Sequence, residues 1–246
     1  MRVLYCPLPT KRVRQRMLGV VLVLLLGSML LLSLEGIKKL APVTSSNNDP
    51  LYQVNTTKPL AALAINVAWG EEYIPDLLQA LKEAETTATF FMVGDWAEQF
   101  PDITAAIAAD NHELGNHSWS HPYPTQIESE ELAEEISKTE KLIQELTGQK
   151  CSLFAPPYGE WDKEVVLTAA KLGYRTVMWT IDTIDWQQPG VDTIVRRVLD
   201  NLVPGSIILM HPTDQTVKAL PQILSGAKEK GFKFITVSQL ITEAAN

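Results

Sequence analysis

From Leu60 onward the chain alternates short apolar runs with segments of helical period, and that order excludes most folds. Strand-like runs fall at Leu60 to Val67, Thr87 to Val93, Glu113 to Asn116, Cys151 to Phe154, Tyr174 to Ile181, Ser206 to Met210 and Lys233 to Val237. Between most of them lie helix-period segments, among them Ile74 to Ala84, Glu130 to Leu146, Asp162 to Leu172 and Val191 to Leu202. The alternation predicts an α/β fold, a mainly parallel sheet with crossover helices. Seven strands in roughly 185 residues are too few for an eightfold barrel, so a distorted seven-stranded (β/α) barrel is expected. Such folds carry chemistry at the C-terminal ends of strands, and His117, Pro157, Asp185 and His211 all follow predicted strands.

The first 59 residues are of another kind. Arg2, Lys11, Arg12, Arg14 and Arg16 form a basic tail (residues 1–16) ahead of an uncharged, mostly apolar run from Met17 to Leu34. As a helix that run rises about 27 Å, enough to cross a hydrocarbon core. Its charge asymmetry predicts a single-pass anchor in the cell membrane, with the tail in the cytoplasm and everything after Glu35 outside. A cleaved signal peptide is the competing reading, but the run ends in LLLSLEGIKK without a small-x-small cleavage site. Residues 35–59 turn to Pro, Ser, Asn and Thr from Ala41 on and read as a linker to a domain spanning 60–246.

With the five basic residues of the tail set aside, 16 Lys and Arg face 29 Asp and Glu, a formal charge of −13. A nucleic-acid partner needs a basic footprint, so that class is excluded. Cys6 and Cys151 fall on opposite sides of the predicted membrane and cannot pair, so no disulfide framework exists.

The chemistry-bearing stretch is GNHSWSHPY, Gly115 to Tyr123, in which His117 and His121 stand four residues apart. On a helical turn that spacing puts both imidazoles on one face, a signature of metal binding; the plain alternative is a pair of surface histidines. Further motifs lie along the chain. These are ATFFMVGDWAEQFP from Ala88, NHELGNHSWSH from Asn111, FAPPYG from Phe154, DTIDW from Asp182 and IILMH ending at His211.

Together, in this order from about Leu60 to Leu240, these motifs resemble those of the polysaccharide deacetylase family, the NodB homology domain of metal-dependent carbohydrate de-N-acetylases. The resemblance implies an N-acetylated cell-wall polysaccharide, peptidoglycan or chitin-like, as partner, and hydrolysis of an amide C–N bond. It implies a divalent metal such as zinc on His117 and His121 with one Asp, and a second Asp as general base. It further implies His211 as the acid that protonates the leaving amine, the backbone N–H of Tyr158 as oxyanion donor, and a groove formed by Trp186, Pro157 and Leu209.

Where the family has LTFDDG, this chain has LAINVAWG. Counting along the strand puts Asn66 at the base position and Val67 at the metal-binding Asp; counting back from Gly70 gives Ala68 and Trp69 instead. Neither register supplies a carboxylate, and neither Val, Ala nor Trp offers a side-chain oxygen to a metal. Ala155 stands where the family's Arg orients the base. Loss of a general base alone typically costs about 100-fold to 10,000-fold.

A rewired site would need a displaced carboxylate, from Glu71, Glu72, Asp95, Asp182 or Asp185. A glycan-binding domain without catalysis would instead use Trp69, Trp119, Trp161 and Trp186, whose indole faces suit sugar rings. A third reading is an assembly factor of the cell envelope, since LAINVAWG resembles the sporulation-associated, membrane-anchored branch of the family. His112, at a strand start, reads as structural.

Overall fold

A computed structural model describes residues 49–245. The basic tail, the predicted membrane span at 17–34 and the linker up to residue 48 lie outside the described residues. Among the described residues no helix is long and apolar enough to cross a membrane.

The strands are β1 (Leu60–Val67), β2 (Thr89–Met92), β3 (Glu113–Asn116), β4 (Leu153–Phe154), β5 (Arg175–Thr176), β6 (Ile181–Asp182), β7 (Ile207–Met210) and β8 (Lys233–Ile235). They form one parallel sheet in the order β5-β4-β3-β2-β1-β7-β6, with β8 also on β1. β1 is buried over nearly its whole length, and its register sets both faces. Ala61, Leu63, Ile65 and Val67 enter the core beneath the helices, while Ala62 and Ala64 face the interior of the curled sheet beside Phe91, Val177 and Ile207. Small residues on the inner face leave room for Phe91, and Gly115 leaves more: a Cβ there would stand 2.5 Å from the Phe91 ring.

Helices α1 (Ile74–Glu83), α2 (Gly94–Gln99), α3 (Pro101–Ala109), α4 (Ser129–Thr147), α5 (Lys163–Lys171), α6 (Val191–Leu199), α7 (Asp214–Glu229) and α8 (Val237–Ala245) complete the domain. α1 shows why they form. Ten residues make a marginal helix in water, but Ile74, Leu77, Leu78 and Leu81 recur on one face and are all buried. Each contributes about 1.5–3 kcal/mol, so packing outweighs intrinsic propensity. α8 closes the lower end of the curl, where Val237 and Leu240 join the inner cluster.

The structure corrects the strand count from seven to eight, because the run Tyr174 to Ile181 divides. β5 pairs with β4, whereas Thr180 donates to the Ile207 carbonyl at 2.9 Å and turns the chain onto β7. Between them the Trp179 ring packs where a Gly159 Cβ would stand 2.4 Å away. The opening is bridged by residues assigned above to the linker. Leu51 donates to Thr176 and accepts from Met178, and Val54 donates to Gly205, each at 2.8–2.9 Å. The segment read as linker therefore stops short of Leu51.

Candidate functional site

At the C-terminal ends of the strands lies a cavity of about 480 Å³ that brings together Asn66, His117, His121, Tyr158, Asp182 and His211. Ala68, Trp69, Trp179, Trp186 and Leu209 supply its apolar wall. A larger groove of about 610 Å³, between α1 and α7, contains no imidazole and none of the motif residues.

His117 follows β3 and is buried; its Nδ1 lies 2.6 Å from the Ala155 carbonyl. A carbonyl only accepts, so Nδ1 carries the hydrogen and Nε2 keeps a free lone pair. Burial, and then the neighbouring His121, hold the imidazole neutral by pushing its pKa down to about 3. The pair sits in a tight polar segment and not on a helix. Ser118 and His121 have φ of 66° and 56°, so the chain from 118 to 121 is a loop. Glu135 of α4 fixes that loop by accepting from the Trp119 and Ser120 amides and the Ser120 hydroxyl. The loop still brings the two rings to centroids 4.9 Å apart. Burial also lowers the His121 pKa.

His211 follows β7. Its Nδ1 and backbone N–H both donate to Asp185, at 2.8 and 2.7 Å, and Thr216 donates to Asp185 Oδ2 at 2.6 Å. Asp185 is wholly buried, and these three bonds fix it. It is therefore committed to His211 and is not the free carboxylate that a rewired base would require. Ile184, just before it, has φ 54°, a conformation that costs a branched side chain about 1–2 kcal/mol. The Ile184 amide is held by Asp182 Oδ1 at 2.8 Å, so Asp182 supports the strained turn that presents Asp185.

The two registers of the first motif meet the cavity differently at the end of β1. Val67 is fully buried in the core under the helices, pointing away from the cavity, whereas Asn66 and Ala68 line it. Trp69 lies parallel to His211, with ring centroids 6.0 Å apart and planes 7° apart. Gly70 permits this approach: its φ is 81°, and a Cβ would stand 2.3 Å from the Pro212 carbonyl oxygen.

Other expectations are met unevenly. Leu209 and Trp186 line the cavity, and Trp186 is 55% exposed. Pro157 is buried and lies outside the cavity wall; its part is to open the 3-10 turn that carries Tyr158 at φ 59°. Glu71, Glu72 and Asp95 lie outside the wall as well, in the first turns of their helices. Asp182 is the single carboxylate in that wall. Among the described residues no three His, Cys, Asp or Glu side chains are grouped to hold a metal ion. The two imidazoles without a carboxylate do not fit the three-ligand catalytic ion of the family. Sequence reasoning missed Trp179, concealed in a run read as strand, and Thr216, whose role is visible only once α7 is folded against β7.

The family model for polysaccharide deacetylase matches residues 53–177. The uncharacterized protein YlxY of Bacillus subtilis is 40% identical over 84% of this chain and 65% of its own length. A peptidoglycan-N-acetylglucosamine deacetylase of Bacillus cereus is 37% identical over 69% of this chain and 63% of its own. This chain thus spans somewhat under two thirds of either relative. Among solved structures, BA3943 of Bacillus anthracis, described as a CE4 family pseudoenzyme, superposes with a TM-score of 0.77 at 40% identity, over 79% of this chain and 69% of that one. A mutant of BA3943 described as having restored enzymatic activity superposes equally well, at 38% identity over 79% of this chain and 71% of its own.

Proposed function

We propose, since this chain belongs to the polysaccharide deacetylase family, that its cavity binds N-acetylated cell-wall glycan without hydrolysing it by the family's ordinary route. The observation that carries this reading is the end of β1. Ala68 and Trp69 occupy the positions counted back from Gly70, and Trp69 covers a face of His211 where the ordinary mechanism needs carboxylates. Without a base to deprotonate water and without a third metal ligand, the remaining residues can hold a ligand and orient it. His211, held by Asp185, presents Nε2 toward the cavity, and His117 presents a neutral acceptor. Trp186 and Tyr158 offer exposed ring faces for sugar stacking. The relatives support the glycan class, and the pseudoenzyme BA3943 supports loss of hydrolysis.

The same reading places the protein at the cell membrane, anchored by residues 17–34 with the domain outside the cytoplasm and a role in the envelope of a spore-forming cell. Its support is the basic tail and the form of the first motif. The test is calorimetry of the full-length chain with oligomers of N-acetylglucosamine, beside an acetate-release assay with zinc supplied. Binding without acetate release is expected. Release abolished by His117→Ala would overturn the reading.

A further inference from the structure

Asp182 is the one carboxylate in the cavity wall, and no lysine or arginine stands in that wall with it. The side chain is half-buried, and its Oδ1 accepts from the Ile184 amide at 2.8 Å. Among the described residues Oδ2 has no partner, and no ion pair includes Asp182. Asp185, by contrast, is met by three donors. A partly buried charge without a counter-charge costs free energy, and a ligand of opposite charge removes that cost.

The rest of the wall favours the same ligand charge. Trp69, Tyr158 and Trp186 are exposed, Trp179 is half-buried, and all four line the cavity. The face of such a ring is the negative part of its quadrupole and attracts an ammonium. Beyond the basic tail, 29 acidic residues face 16 basic ones, so the field around the domain draws cations toward it. Aromatic faces alone accept any sugar; beside an uncompensated carboxylate they favour a charged one. The cationic sugar of an N-acetylated glycan is a unit whose acetamide has been hydrolysed to an amine. Its ammonium brings a charge and three N–H donors, whereas an acetamido group brings one N–H and no charge. Asp182 accepts from either, but only the ammonium neutralises it.

We propose that the cavity seats a de-N-acetylated amino sugar within an otherwise N-acetylated strand, with Asp182 as the residue that selects its ammonium. The inference rests on the glycan-binding reading above and names the unit that the cavity prefers. Such a unit is made by hydrolysis of an N-acetyl sugar, so this protein acts after that reaction, as a reader of its product. Asp182 is a binding residue in this scheme, and no bond in the sugar is made or broken.

The test is calorimetry of the full-length chain, with a chelator present throughout, at a pH where the sugar amine is protonated. The probes are three β-1,4-linked tetramers: one of N-acetylglucosamine, one with a single inner unit de-N-acetylated, and one of glucose. The wild type is expected to bind the singly de-N-acetylated tetramer about tenfold more tightly than the fully acetylated one. The glucose tetramer, which carries no charge, should gain no such advantage, and this comparison leaves the protein unaltered. Asp182→Asn keeps the oxygen that holds the Ile184 amide but removes the charge, and should reduce the preference to nearly nothing. Asp200→Asn removes the same charge from an exposed position outside the cavity wall and should leave the preference in place. Melting curves confirm that each variant is folded. Equal binding of the acetylated and singly de-N-acetylated tetramers overturns the inference while leaving glycan binding intact. A preference that survives Asp182→Asn, or that Asp200→Asn abolishes as well, also overturns it, because the general field of the domain would then be the reader. Failure of the wild type to bind any tetramer overturns this inference and the glycan reading together.

Discussion

The Trp69 indole lies parallel to the His211 imidazole, ring centroids 6.0 Å apart, where the adjacent strands β1 and β7 end at the cavity. His211 is held from its other side by Asp185, so the ring has a fixed plane for the indole to lie against. Gly70 and Pro212 lock the two loops together just behind this pair. The departures from the family's motifs fall at the end of β1 and at Ala155, while His117, His121 and His211 still line the cavity and His211 is held by Asp185.

That localisation predicts a gain of metal binding from two changes. The double variant Ala68→Asp, Trp69→Asp adds carboxylates to the cavity wall that His117 and His121 also line, to supply the third ligand that a catalytic zinc usually needs. Elemental analysis should find about one zinc per chain in the double variant and little in the wild type. Acetate release from an N-acetylglucosamine oligomer should become detectable in the double variant. Trp69→Ala alone should uncover His211 without conferring activity. Zinc stoichiometry equal in wild type and double variant would show that β1 does not limit the site.

His112 predicts how stability responds to acid. It is buried against Phe90, and its Nδ1 accepts from the Ala88 amide at 3.2 Å, which requires the unprotonated nitrogen. Burial lowers its pKa below the ordinary 6.5. The unfolded chain therefore takes up the proton first, so this contribution is present above about pH 6.5 and is lost as the pH falls toward the folded-state value. In His112→Asn the Oδ1 can replace Nδ1 as acceptor but cannot titrate. Urea denaturation at about pH 7 and about pH 5 should show a smaller loss for this variant than for wild type, against a lower starting stability from the lost ring. His117 acts in the same direction, so part of the acid sensitivity should remain. Equal losses in the two proteins would exclude His112 as a source.

The alternation of apolar and helical periods was enough to read the parallel sheet, because β1, β2 and β7 are buried on both faces and are apolar but for Asn66 and Thr89. The division of β5 from β6 was not legible: Val177, Met178 and Trp179 are as apolar as any strand, and only their partners, Leu51 and Gly159, show that they leave it. The spacing of His117 and His121 and the resemblance that added His211 pointed to three residues that do share one cavity, but the loop geometry depends on Glu135, a residue with no local motif. The register of the first motif required the alternation of side chains at the end of β1. Sequence alone gave Asn66 as the base position in one register and Ala68 and Trp69 in the other; in the fold Asn66, Ala68 and Trp69 line the cavity and Val67 points away from it.

A second buried polar cluster predicts where the fold is most easily damaged. Glu140 Oε2 on α4 accepts from the Cys151 amide at 3.1 Å and from the Tyr174 hydroxyl, tying α4 to the starts of β4 and β5. Burial, reinforced by Glu140, pushes the pKa of both the Cys151 thiol and the Tyr174 phenol upward. Glu140→Leu leaves two donors unpaired, at about 1–3 kcal/mol each, so Tm should fall by several degrees. Glu140→Gln keeps an acceptor and should cost less than half as much. Equal effects of Leu and Gln would assign the loss to charge and not to pairing.

The rim of the cavity predicts a dependence on glycan length. Tyr123 and Tyr158 are stacked with centroids 3.9 Å apart, and both are exposed. Three residues beyond Tyr158, the exposed Trp161 donates its indole N–H to the Tyr52 hydroxyl at 2.9 Å. Tyr52 is itself fixed, its carbonyl accepting from Thr180, next to the cavity residue Trp179. The aromatic surface therefore continues outward from the cavity along a held backbone, where further sugars of a polymer would lie. Trp161→Ala removes an indole face and also frees Tyr52. Stacking of this kind contributes about 0.5–1.5 kcal/mol, so affinity for a hexamer of N-acetylglucosamine should fall roughly threefold to tenfold. A dimer confined to the cavity should bind unchanged. An equal loss for dimer and hexamer would place Trp161 inside the primary site, and no loss for either would remove the outer rim from the binding surface.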